Sequence, residues 1–278
     1  MEKTEKQAPA IDIANMDTTV SPGENFYLYA NGGWMKNNPI PEEYGRFGTF
    51  DQLGEHNNEL VRDLIKKTAA ESHEAGSVAQ KIGDFYNMGM DSATIEQQGL
   101  EPLKNEFAKI EGIQNKKQLQ EQIAYMHTIG VYPLFYMYGS SDSKNSEMVV
   151  THLAQGGLGL TDRDYYVSDD ARSKEIRENY LAHVTKMFEL LGNDSVAANQ
   201  TADMIMDFET KLAKASMTRL ERRDPYKTYN KMDLRKLSED SPNYDWNSYF
   251  TEIGLGDPGK IIVGQPVFFS EVSDMMNN

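Results

Sequence analysis

Phe50, Leu53, Leu60, Val61, Leu64 and Ile65 recur mostly at the three- and four-residue intervals of one helical face, which predicts a long amphipathic helix reaching about Ala70. The polar, small-residue stretch 71–77 breaks it. Val78, Ile82, Phe85, Tyr86 and Met90 make a second stripe, Leu103, Phe107 and Ile110 a third behind Pro102, and Leu119, Ile123, Met126 and Ile129 a fourth. Each reads as a face turned to a core, with no cofactor needed to explain it.

Between Val131 and Val150 the period changes. VYPLFYMYG is aromatic and strand-like, SSDSKNSE is a polar turn and MVVTHL returns as a second strand, so a β-hairpin is expected there as the one sizeable β element. A glycine-rich loop, GLGLTDRDYY, follows at 157–166. Ile176, Tyr180, Val184, Met187, Phe188 and Leu191 then mark a long helix ended by Gly192, and Ala198, Ala202, Ile205, Phe208, Leu212 and Ala215 mark another. Trp246, Tyr249, Phe250 and Ile253 form a short helix behind an Asp245 N-cap. IIVGQPVFF at 261–269 is apolar enough to be buried, and SEVSDMM reads as the opening turns of a helix on which the sequence stops without a closing cap. No fixed-period repeat is present, which argues against a helical solenoid. The fold class is mainly α, a multi-helix domain with one β-hairpin.

The richest stretch is 21–53, SPGENFYLYANGGWMKNNPIPEEYGRFGTFDQL. Phe26, Tyr27 and Tyr29 open a short amphipathic segment behind a Ser-Pro-Gly turn. Gly32 and Gly33 are expected to allow a sharp bend that Trp34 pins to a core. Pro39 and Pro41 keep the next residues extended, so the following helix cannot start before about Tyr44. Arg46 stands at that corner.

FYLYANGGW, IPEEYGRFGTFDQL and GLGLTDRDYY together resemble the N-terminal part of the neprilysin family of zinc metallopeptidases, which includes the endothelin-converting enzymes and bacterial endopeptidase O. KIGDFYNMGMD at 81–91, DFETKLAKAS at 207–216, RRDPYKTYNKM at 222–232 and IIVGQPVFF continue the resemblance in the same order. It implies a two-lobed metallopeptidase whose N-terminal helical domain occupies 20–278 and is incomplete, behind a flexible tether at 1–19. Zinc chemistry in such enzymes needs an H-E-x-x-H helix and a third carboxylate ligand. The five histidines, His56, His73, His127, His152 and His183, contain no such pair. The resemblance therefore implies that zinc is bound outside this chain, in a catalytic domain that would be its partner, with oligopeptides as substrates and no hydrolysis by this chain alone.

Composition narrows the setting. A net charge of −15 with a pI near 4.8 argues against nucleic acid and against an anionic membrane surface. The absence of cysteine excludes disulfides and thiolate metal sites. Animal relatives carry a cysteine where Asn31 stands, which points to a bacterial-type member. No run is long enough to span a membrane, and residues 1–19 lack the apolar core of a signal peptide. The polar EKTEKQAPA is expected to be disordered, as in the tether of a periplasmic or extracellular protein whose export or lipid-anchor segment has been removed; a cytoplasmic protein with a ragged N-terminus would look the same.

Arg46 is the candidate substrate-binding residue. The arginine of the matching family motif binds the C-terminal carboxylate of short peptides, a task suited to a planar guanidinium. From the residues alone, pairing with Glu42, Glu43 or Asp51 competes with that role. Animal relatives carry a second arginine eight positions later, where this chain has Gly54. Asp162 and Asp164 are read as caps in a structural loop rather than calcium ligands, with Tyr165 and Tyr166 packing. RLERRDPYK is read as an ion-paired helix end rather than a binding surface. The alternative function is a non-catalytic helical protein that binds peptides or a partner on a peptidase-like architecture.

Overall fold

The computed structural model describes residues 11–42 and 44–277 of the chain, which form two units meeting at Gln98 and Gly99. The expected disorder of EKTEKQAPA lies outside the described residues. In the first unit a single 3-10 turn, Ile13–Asn15, precedes helix α1, Phe26–Asn37. α2 spans Thr49–Ala70, α3 Val78–Met90 and α4 Ser92–Gln98. Asn25 and Ser77 cap α1 and α3 by accepting from the N–H groups of Leu28 and Gln80.

Two expectations change in this unit. α1 runs straight through Gly32 and Gly33, so there is no bend. The glycines serve close approach instead: a Cβ on Gly33 would lie 2.4 Å from the Ala14 carbonyl oxygen, and one on Gly32 would lie 2.7 Å from the Asp17 Cβ. The Asp17 N–H donates to the Tyr29 carbonyl at 2.9 Å, so part of the segment read as a tether lies folded on α1. The second change concerns burial. The stripes of α2 and α3 are helical as expected, yet among the described residues of this unit only Gly83 is buried, against Ala69 of α2. Phe50 is 89% exposed.

The second unit is built around a sheet. α5, Lys104–Glu111, and α6, Lys116–Thr128, lead into β1, Phe135–Asp142, and β2, Asn145–Gln155. β1 and β2 pair antiparallel from Phe135 opposite Gln155, with an irregularity at Ser141 and Asp142. α7, Asp164–Val167, α8, Ala171–Leu190, and α9, Ser195–Ala215, follow. Then come β3, Asn230–Asp233, α10, Leu234–Asp240, α11, Trp246–Glu252, β4, Lys260–Val263, and α12, Pro266–Met275. Asp245 caps α11 as expected, accepting from the Ser248 N–H at 3.0 Å.

The hairpin is therefore half of a four-stranded mixed sheet in the order β1-β2-β4-β3. β4 lies parallel to β2, with Thr151 opposite Ile261, and antiparallel to β3. A parallel pair requires a long crossover, here the chain from α7 to α11. IIVGQPVFF is buried as expected, but it divides at Gly264: its first residues are β4, and Pro266 starts α12, where its missing N–H costs nothing. SEVSDMM accordingly continues and ends that helix.

Phe135 occupies the middle of the core. Its ring meets those of Tyr244, Trp246, Tyr249 and Phe269 at 5.4 to 5.8 Å, mostly edge to face. The Trp246 indole N–H donates to Ser241 Oγ at 2.7 Å, so the largest buried side chain leaves no donor orphaned.

Candidate functional site

Arg46 lies in the first unit, in the connection between α1 and α2. Asn38 fixes that connection at both ends: its amide N–H donates to the Trp34 carbonyl at 2.8 Å, and its oxygen accepts from Gln52 Nε2 at 2.7 Å. Phe47 stacks on Trp34 at 6.3 Å and meets the Tyr44 ring edge at 5.2 Å. The Gly48 N–H donates to Asp51 Oδ2 at 2.8 Å, which starts α2 at Thr49, beyond the limit near Tyr44 that the prolines set. Side chains and backbone of this connection enclose a groove of about 450 Å³ whose wall includes Tyr27, Trp34, Pro39 and Phe47, with the exposed Arg46 at its rim.

Of the three carboxylates considered as partners, Asp51 is held by the Gly48 N–H, and Glu43 lies outside the described residues. Among the described residues no carboxylate stands within ion-pair distance of Arg46. A Cβ on Gly54 would meet nothing within 4 Å, so the position where animal relatives place a second arginine is open space.

The loop GLGLTDRDYY is held by an anchor that was not visible in its own sequence. The Tyr166 hydroxyl donates to Glu209 Oε2 at 2.6 Å and accepts from the Leu160 N–H at 2.8 Å, while the Tyr180 hydroxyl donates to Glu209 Oε1 at 3.0 Å. Burial, reinforced by the Glu209 carboxylate, pushes both phenols up, so they stay protonated donors. A Cβ on Gly159 would come within 2.0 Å of the Tyr180 hydroxyl. The one available signal was a glutamate on the otherwise apolar face Ile205-Phe208-Leu212. Asp162 accepts from the Asp164 N–H at 2.8 Å and pairs with Arg219, and Asp164 pairs with Arg163.

RLERRDPYK ends no α-helix: a 3-10 turn, Glu221–Arg223, lies within it. Glu221 accepts from the N–H and hydroxyl of Thr218, both at 2.9 Å, and Asp224 from the Tyr226 N–H. Arg219 pairs with Asp162 of the glycine-rich loop rather than with Glu221 or Asp224 of its own stretch, and the side chain of Arg222 has no ion-pair partner among the described residues.

The residues do not fit a zinc ion. Among the described residues no three His, Asp or Glu side chains converge as metal ligands. His73 bonds the Thr68 carbonyl at 2.8 Å, His127 shares a hydrogen bond with the Tyr249 hydroxyl at 2.7 Å, and His152 stacks on Tyr138, its partner in the β1–β2 register. His56 stands on α2 and His183 on α8. No described helix is long and apolar enough to cross a membrane.

Residues 22–278 match the family model for the N-terminal part of peptidase family M13. The chain is 32% identical to bovine endothelin-converting enzyme 1 over 96% of its own length and 36% of the relative's. It is 28% identical to neprilysin-3 of Drosophila melanogaster, over 95% of the chain and 35% of that protein. Among solved structures it superposes on the zinc metalloprotease ZMP1 of Mycobacterium tuberculosis, in complex with an inhibitor, with a TM-score of 0.86 and 30% identity over 96% of this chain and 41% of that one. The chain thus spans little more than a third of the curated relatives it matches.

Proposed function

Because the chain belongs to peptidase family M13, we propose that it is the N-terminal portion of a zinc metalloendopeptidase that cleaves oligopeptides, contributing cavity walls and Arg46 as a substrate contact. The observation that carries the substrate role is the exposed guanidinium of Arg46 at the rim of a groove of about 450 Å³. A carboxylate can be gripped there by two parallel hydrogen bonds. Zinc, which would activate the attacking water, belongs in this reading to a catalytic portion outside the chain, the partner of the apolar stripes that α2 and α3 leave exposed. In this reading the enzyme is of bacterial type, as Asn31 in place of the animal relatives' cysteine suggests, and acts in the periplasm or outside the cell, with lipid anchoring as one mode of attachment.

The test is Arg46→Ala in a form of the enzyme that includes the zinc-bearing portion. Loss of one charge-assisted contact, roughly 1.5 to 3 kcal/mol, should lower kcat/KM about tenfold to a hundredfold on short peptides with a free C-terminus. Amidated peptides should be cleaved at the original rate. Equal losses on both would mean that Arg46 supports the fold and not the substrate.

A further inference from the structure

A second cleft, of about 440 Å³, opens in the second unit between the glycine-rich loop and the connection that follows α9. Its lining holds three guanidinium groups, Arg163, Arg219 and Arg222, against one carboxylate, Asp162. Arg163 and Arg219 are offset by Asp164 and Asp162, which leaves Arg222 as the guanidinium of the lining with no ion-pair partner among the described residues.

Two of the three arginines are committed to the walls. Arg163 Nε donates to the Ala213 carbonyl at 2.9 Å and Nη1 to Asp164 at 3.0 Å, and Arg219 pairs with Asp162. Arg222 is exposed, and its guanidinium has no partner among the described residues; the neighbouring Glu221 is turned to Thr218. The walls are built before any ligand arrives. The Gln155 amide bonds Met217 reciprocally, donating to its carbonyl at 3.1 Å and accepting from its N–H at 2.8 Å. The opposite wall rests on the Tyr166, Tyr180 and Glu209 cluster. A preformed cleft loses little entropy on binding.

The cleft adjoins the start of β1 on the side of Gln155 and Gly156. Its Tyr136, 49% exposed, lies so close to Gly156 that a Cβ there would come within 3.1 Å of the ring. The volume also matches small-ligand clefts and exceeds what a lone anion would fill. We propose that this cleft binds a carboxylate-bearing peptide segment, with Arg222 gripping the carboxylate and the Tyr136 ring and the glycine-rich loop flanking the chain. That the occupant is a peptide rests on the oligopeptidase reading above; the unpaired Arg222 and the cleft do not. The carboxylate can come from an acidic side chain or from the peptide C-terminus.

The experiment is calorimetric titration of the full chain with four hexapeptides of one parent sequence, acidic or neutral, each with a free or an amidated C-terminus. It is repeated on Arg222→Ala, Arg222→Lys and Arg46→Ala, with circular dichroism to verify folding. At least one carboxylate-bearing class should bind about tenfold more weakly to Arg222→Ala, with part of the loss recovered in Arg222→Lys, while the neutral amidated peptide is unchanged. The class that weakens identifies the source of the carboxylate. The proposal is overturned if no peptide binds at millimolar concentration, if Arg222→Ala changes none of them, or if inorganic phosphate binds as tightly as the peptides and is lost with Arg222. Sensitivity to Arg46→Ala alone would overturn this site and leave the oligopeptidase reading standing. Sensitivity to Arg222 without sensitivity to Arg46 would support the site even if that reading fell.

Discussion

His127 shows how a residue whose chemistry suggests a site can belong to the core instead. It is buried between Tyr132, Phe135 and Tyr249, one ring nitrogen bonded to the Tyr249 hydroxyl and the other, Nε2, without a partner. Burial pushes the imidazole down from 6.5 to about 4. Between those values the unfolded chain binds a proton that the folded chain refuses, so stability is complete above about pH 6.5 and falls as the pH drops towards 4. The slope from this one group is at most roughly 1.4 kcal/mol per pH unit. Urea unfolding followed by Trp246 fluorescence between pH 4.5 and 7 should show that slope, and His127→Gln should flatten it. Parallel curves for the two proteins would mean that the imidazole is solvated in the folded state. Arg46 is proposed as the opposite case. No feature of its own environment in the sequence could decide between the groove and an ion pair, because that choice depends on where the α1–α2 connection places Arg46 relative to Glu42 and Asp51, neither of which stands within ion-pair distance of it.

At the scale of elements, periodicity located the long helices well because a stripe repeats over many turns. α2, α3, α6, α8 and α9 fall where the pattern puts them. The short elements were not legible for physical reasons. β3 is four largely polar residues, and β4 is four residues running into a helix, so neither displays two full alternations. The pairing of β4 with β2 and of β3 with β4 is a long-range event that local sequence does not encode. The Gly32-Gly33 pair misled because glycine permits both a bend and a close approach, and only the position of residues 14–17 distinguishes them. A direct comparison tests this. Gly33→Ala should gain about 1 kcal/mol of helix propensity yet destabilise the first unit by roughly 1 to 3 kcal/mol, because its Cβ meets backbone oxygens that must move. Gly54→Ala, with open space around it, should stabilise by up to about 1 kcal/mol. Trp34 fluorescence during urea unfolding reports both; stabilisation by Gly33→Ala would show that residues 14–17 do not rest on α1.

At the scale of the whole molecule, the two units differ in how they satisfy their apolar residues. The second buries an aromatic core around Phe135, whereas the first leaves Phe50, Leu60, Val61 and Leu64 of α2 and Val78, Phe85 and Met88 of α3 exposed. Contiguous apolar surface of several hundred Å² is rare on a soluble monomer and marks a surface that is covered in the working protein. Family membership shows what kind of protein that is, but the covering partner stays a proposal, since the matched relatives are nearly three times as long as the chain. The physical consequence can be measured on the chain itself. It should bind a hydrophobic dye and associate with rising concentration in light scattering. A Leu60→Gln, Leu64→Gln double variant should reduce both signals while shifting the Trp246 unfolding midpoint by no more than about 0.5 kcal/mol, since both positions are on the surface. A chain that stays monomeric and dye-free at high concentration would show that these stripes do not form a continuous patch, and would remove the main physical support for a partner seated on α2 and α3.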